Sequence, residues 1–108
     1  DTAVFQASRE VEVAVRKAGG FSQEDIGTKL MRKAFEKTKG ALTDKSLPEA
    51  EREAMAHLFA GAIGLYKNST SHRHVVIVDS SEAVEVIILA SHLMRLVDSY
   101  CDRSLGDT

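Results

Sequence analysis

The sequence predicts an all-α protein, an up-and-down bundle of four to five helices forming a single domain over residues 1–108. Apolar residues recur at three- and four-residue spacing along most of the chain, the period of a helix with one buried face. The blocks that carry this period are separated by short polar joints, as in bundles whose neighbouring helices run antiparallel. A length of 108 residues suits one compact domain and leaves no room for a second. Only Val75-Val76-Ile77-Val78 has strand character, and with no second run to pair with it is expected as an extended connection packed against the bundle.

The first helix is expected over residues 3–18, where Val4, Ala7, Val11, Ala14, Val15 and Ala18 make one stripe, and Gly19-Gly20 close it. The second is expected from Ser22 to about Thr38. Ser22 and Asp25 have capping-box spacing, Phe21 and Ile26 suit a hydrophobic staple, and Ile26, Leu30 and Ala34, flanked by Met31 and Phe35, supply the buried face. Residues 39–46 read as a polar loop. Ser46 and Glu49 repeat the cap spacing, and Pro48 falls in the first turn, where a missing amide costs little. The third helix then runs to about Tyr66 with a stripe of Met55, Leu58, Phe59, Ala62, Ile63 and Tyr66. Gly61 and Gly64, on another face with His57, predict close approach of a neighbouring helix, since interior glycine otherwise costs about 1 kcal/mol. Residues 67–80 read as irregular, with Asp79 or Ser80 capping a last helix and Glu82 as box partner. From Val84 to Val97 that helix is apolar on most sides, which predicts a central position or a face covered by another subunit.

Composition narrows the functional classes. Hydrophobic residues at 44% and charged residues at 28% are those of a globular domain. With 14 Lys and Arg against 16 Asp and Glu, the net charge of −2 excludes a uniformly basic coat for nucleic acid. One cysteine, Cys101, excludes an internal disulfide framework and a multi-cysteine zinc site. No apolar run approaches the roughly 20 residues that span a bilayer. The expectation is a reduced, cytoplasmic domain without a membrane segment; the start at Asp1 reads as a fragment of a longer protein or a processed product.

The charge is unevenly placed. Residues 1–53 carry ten acids and ten bases, whereas no acid lies between Glu53 and Asp79. Within that window Lys67-Asn68-Ser69-Thr70-Ser71-His72-Arg73-His74 collects two cations and two imidazoles with amide and hydroxyl groups between them. Such a set suits a phosphate or another anion, and histidine can move a proton near neutral pH. The same residues also have a plain structural reading. Lysine in a last helical turn complements the helix dipole, asparagine commonly ends helices, and Ser-Thr-Ser is ordinary loop material.

The wording of this region resembles one branch of the HEPN superfamily, an uncharacterised conserved family found with phage-defence and abortive-infection genes. The resemblance is carried by Leu58-Phe59-Ala60-Gly61, by Lys67-Asn68 followed by Ser71-His72-Arg73, by Leu93-Met94-Arg95, and upstream by Gly27 to Phe35. It implies a helical bundle, often dimeric, and in active members a metal-independent RNA endonuclease of a toxin or phage-defence system that uses no cofactor. By that likeness Lys67, Asn68 and His72 are the catalytic residues: His72 moves the proton of the ribose 2′-hydroxyl, Lys67 offsets charge on the phosphate, and Asn68 orients the site. Ser71, Arg73 and His74 fall to substrate binding. The implied partners are RNA, a second copy of the chain, and an antitoxin or other defence-system protein. Two positions depart from the family pattern, Lys67 for its arginine and Ser69 for its proline. A catalytically silent module that binds RNA or protein is therefore the alternative.

Remaining candidates rank lower. His57 reads as a packing or surface histidine, and His92 as a satisfied buried or interface one. A zinc site from His57, His72, His74 and His92 has no recognised spacing. Cys101 has no matched histidine motif, and the Asn68-Ser69-Thr70 sequon stands without other signs of secretion. Lys29, Arg32, Lys33, Lys37 and Lys39 read as a solvated face that would extend an RNA track if it lay beside the motif.

Overall fold

A computed structural model describes the backbone of residues 2–68 and 80–106 and the side chains of residues 3–66 and 81–101. Among the described residues the chain is helical throughout its regular structure: α1 (Thr2–Gly19), α2 (Gly27–Ala34), α3 (Glu49–Ile63), a π-helical turn (Gly64–Asn68) and α4 (Ser80–Gly106). The predicted all-α bundle is what forms. α1 packs mainly on α4 and α2 mainly on α3, while the π turn rests against α1 and α2.

The first helix follows its stripe at the three valines, while Ala7, Ala14 and Ala18 are only partly buried and two polar residues join the buried face. Val4, Ser8, Val11, Glu12 and Val15 are buried at the spacing of one helical face. Its two closing glycines act differently. Gly20 has φ +69°, and the amide of Phe21 beyond it donates to the carbonyl of Arg16 at 2.9 Å, the six-residue bond of a Schellman end. Gly19 lies under the ring of Phe21, where a Cβ would overlap the aromatic carbons.

The second helix starts later and ends sooner than the sequence suggests. Ser22 and Asp25 close a separate turn: the Ser22 amide donates to Asp25 Oδ2 at 3.2 Å and the Asp25 amide to the Ser22 carbonyl at 3.1 Å. They cap no helix, and Ile26, 54% exposed, is not one half of a staple. The start of α2 is instead set from α1. Buried Glu12 accepts the amide hydrogen of Gly27 at 2.5 Å, and Arg16, one turn on, donates to the Asp25 carbonyl at 3.1 Å. The exit at Ala34 is held by the Leu42 amide, which donates to the Ala34 carbonyl at 2.9 Å.

The segment after α2 is not simply a polar loop, since Phe35, Leu42 and Thr43 are buried. Phe35 stacks on Phe59 with ring centroids 4.2 Å apart. Tyr100 donates its hydroxyl to the Ala41 carbonyl at 2.7 Å, and Arg52 its guanidinium to the Lys37 carbonyl at 2.8 Å. Ser46 bonds to Asp44 at 2.6 Å and takes no part in capping α3, which begins after Pro48.

Along α3, Phe59, Ala60 and Ile63 are buried, whereas Leu58 is 41% exposed and leaves the expected stripe. α3 runs antiparallel to α2, because Gly64 meets Thr28 at one end while Lys37 pairs with Glu49 and Glu53 at the other, at 2.7 and 3.0 Å. The last helix starts at Ser80 and runs to Gly106, past the apolar stretch from Val84 to Val97. It buries Ala83, Val86, Ala90, Leu93 and Val97 and leaves Val84 and Ile88 outward. His92 is exposed, not buried, because it falls opposite that stripe.

Two outcomes follow from these contacts. Glu12→Ala removes the acceptor that starts α2 and is expected to lower the unfolding free energy by about 1.5–3 kcal/mol, the range for hydrogen bonds to charged groups, read by urea denaturation. Acid is expected to weaken the α2–α3 junction. The Lys37 ammonium holds the Glu49 carboxyl below the ordinary carboxylate range, and the Lys39 and Thr38 amides do the same for Glu36. Stability from depressed carboxylates is full above their unfolded pKa and is lost as pH falls through the folded one. A melting temperature that falls below about pH 4.5, the ordinary glutamate range, and falls less in Glu36→Gln checks this.

Candidate functional site

Lys67 and Asn68 are the last two residues of the π turn that extends α3. A π turn bonds i to i+5, is rare, and is frequent at functional sites. Here it starts where the Gly64 amide is shared between the carbonyls of Ala60 and Gly61. The expectation of irregular chain from residue 67 is therefore corrected for Lys67 and Asn68, which continue the helical path. Their side chains lie outside the described residues, as do Ser71, His72, Arg73 and His74 and the expected connection at Val75 to Val78. Asp79 and the side chain of Ser80, the expected caps of the last helix, lie there too.

Contacts on three sides fix the turn. On one side a Cβ at Gly64 would stand 2.9 Å from Thr28 Cγ2, so α2 approaches closely only because residue 64 has no side chain. This is the close approach expected of the glycines in α3. It is confined to Gly64, since Gly61 is exposed with nothing within 4 Å of a Cβ position. On the other sides Tyr66 packs against Val4 of α1 and against Ala83 and Val86 of α4. Beneath it lies a small apolar hollow of about 220 Å³, counted to its open mouth, whose lining includes Ser8, Ile63, Tyr66 and Leu89. Three helices thus converge on the residues immediately before Lys67.

A larger pocket of about 410 Å³ lies at the opposite end of α3, between Phe35, Leu42, Arg52, Met55, Leu96 and Tyr100. Most of its polar groups serve the neighbouring loop: Thr43 donates to the Glu36 carbonyl, Arg52 to Lys37 through one terminal nitrogen while its buried Nε has no partner among the described residues, and Tyr100 to Ala41. That assignment favours the π-turn end as the candidate site, despite the smaller hollow. His57 and His92 are exposed on separate helices, and Cys101 is partly buried near the end of α4. Among the described residues no group of three His, Cys, Asp or Glu could hold a metal ion, and no helix is long and apolar enough to cross a membrane.

Sequence reasoning missed two features of this end. One is the π turn, which no apolar spacing announces. The other is the position of α2, whose exposed Lys29 and Arg32 adjoin Thr28 and so lie beside the turn. The signal for it was Gly64 itself.

The chain belongs to the Hypoth_Ymh family, proteins of unknown function, whose family model matches residues 1–97. No curated protein and no solved structure matches it.

The fit between α2 and the π turn is open to a direct test. Gly64→Val is expected to cost about 1–3 kcal/mol, as overpacking does, and Thr28→Ala to recover part of that loss in the double variant. Urea denaturation of both singles and the double gives the coupling, and strictly additive losses would show that the two positions do not touch.

Proposed function

We propose that this chain is a HEPN-type RNA endonuclease that cleaves without a metal ion, in a toxin or phage-defence setting. The observation that carries the reading is the acid-free window of residues 54–78, which runs down α3, through the π turn and into Ser71-His72-Arg73-His74. A helical bundle with a rigidly supported turn at Lys67 and Asn68 agrees with it, as does the HEPN-like wording of the sequence.

In the proposed reaction His72 accepts the proton of a ribose 2′-hydroxyl while its oxygen attacks the adjacent phosphorus. The bond from phosphorus to the 5′ oxygen breaks, the 5′ oxygen takes a proton from water, the hydroxide so formed takes up the proton held on His72, and a 2′,3′-cyclic phosphate remains. Lys67 offsets the charge that gathers on the phosphate oxygens, Asn68 orients the site, and Arg73 with Ser71 and His74 holds a neighbouring phosphate. DNA is spared because it lacks the attacking hydroxyl. Two copies of the chain would bring two such motifs to one cleft, and an antitoxin or other defence-system protein in the cytoplasm would restrain them.

Lys67 favours a second reading, a catalytically silent module that binds RNA or protein. Lysine is a point charge where arginine gives a two-pronged fork. The two readings separate on variants. His72→Ala is expected to fold and to cut RNA about 10²- to 10⁴-fold more slowly in chelator, the usual worth of a general base. Undiminished cleavage by that variant would remove His72 from the mechanism. Cleavage that arises only in Lys67→Arg would identify the silent module.

A further inference from the structure

We propose that Lys29 and Arg32 of α2, with the adjoining strip of α3 at His57 and Gly61, form a phosphate-binding track that leads one RNA strand to the π turn; this rests on the ribonuclease reading. The five basic residues of the α2 region are not equivalent. Lys33 lies 3.4 Å from Asp25 and 5.4 Å from the centre of the Phe21 ring. Lys37 is held between Glu49 and Glu53 at 2.7 and 3.0 Å. Lys39 lies beyond α2, on a turn whose Thr38 and Lys39 amides donate to the Glu36 carboxylate. Lys29 and Arg32 are exposed, and among the described residues neither forms an ion pair. Between Gly27 and Ala34 the helix itself has no acid.

Their position follows from the contact at Gly64. Thr28 and Arg32, four residues apart, share a flank of α2, so Arg32 lies along α3 one turn from the place where Thr28 meets Gly64. On α3, His57 is four residues beyond Glu53 and seven before Gly64, which puts it on the side that faces α2. Both His57 and Gly61 are exposed, and beyond Glu53 that side carries no acid. At the other end of the same seam the Lys37 charge is already matched by two carboxylates. Of the basic residues within α2, Lys29 and Arg32 are thus the two left without a carboxylate partner among the described residues, the first next to Thr28 and the second one turn further along. Arg32 offers a planar fork and Lys29 a mobile ammonium, the complementary pair of donors for successive phosphodiesters of one strand.

The test is fluorescence anisotropy of a labelled oligouridylate about 20 nucleotides long, titrated with the full chain at ~0.1 M salt. The double variant Lys29→Gln, Arg32→Gln is expected to bind at least ~10-fold more weakly. Its salt slope should fall by about 1.4, at about 0.7 per single-strand phosphate contact. Lys39→Gln with Lys45→Gln removes the same charge from exposed positions elsewhere and is expected to stay within about twofold of the parent. Arg32→Gln alone gives a partial loss and a second reading if the double variant melts early. Equal weakening by the two doubles, or unchanged binding by both, would overturn the track and leave the ribonuclease reading intact. A parent chain that binds no oligouridylate would overturn both.

Discussion

A buried carboxylate on α1 governs how this small bundle is arranged. Glu12 accepts the amide hydrogen of Gly27, and that bond fixes where α2 begins. The next residue, Thr28, is thereby set against Gly64, and Gly64 opens the π turn that ends in Lys67 and Asn68. A buried polar group is costly unless hydrogen-bonded, so the contact is demanding as well as stabilising. It ties a residue in the middle of α1 to the candidate site through the Gly27 amide and the neighbouring Thr28 side chain that meets Gly64. Arg16 secures the same junction from one turn further along α1 by donating to the Asp25 carbonyl.

That arrangement explains which parts of the fold were legible in the sequence. The valines of the α1 stripe and the closing role of Gly20 depend on local geometry alone, and both are found where the spacing puts them. The capping box at Ser22 and Asp25 has the right residues at the right separation but forms an isolated turn. A local pattern could not reveal that the amide at Gly27 is taken by a carboxylate fifteen residues earlier. Leu58 and Phe59 are both apolar and adjacent, about 100° apart on the helix. Only the partner helices decide that Phe59 stacks on Phe35 while Leu58 meets solvent. Gly61 and Gly64 posed the same ambiguity, and α2 resolves it at Gly64.

At the candidate site the division is different. The motif residues were singled out by type and order, and by an acid-free surrounding that any reader of the chain can count. The π turn was not legible, because the i to i+5 bond leaves no mark on apolar periodicity. It matters because it carries the helical path on to Lys67 and Asn68, which precede the histidine-bearing stretch in the sequence. The anchoring of Tyr66 by Val4, Ala83 and Val86 was likewise hidden, since it draws one residue from each of three distant segments and a fourth from the same helix as Ala83.

Net charge proves to be the wrong measure for this molecule. The total of −2 includes carboxylates at Asp25, Glu49 and Glu53 that are already engaged by Lys33 and Lys37. What a polyanion meets is the charge left over after such pairing, weighted toward groups within a Debye length of about 10 Å. Exposed pairs of this kind contribute little to stability, yet they decide where unpaired charge remains. In α2 the remainder is Lys29, next to Thr28, and Arg32, one turn further along, while the acids of α3 stop at Glu53. A chain with more acids than bases can therefore present a positive edge at one end of a single helix pair. The close approach at Gly64 brings that edge beside the turn that carries Lys67 and Asn68.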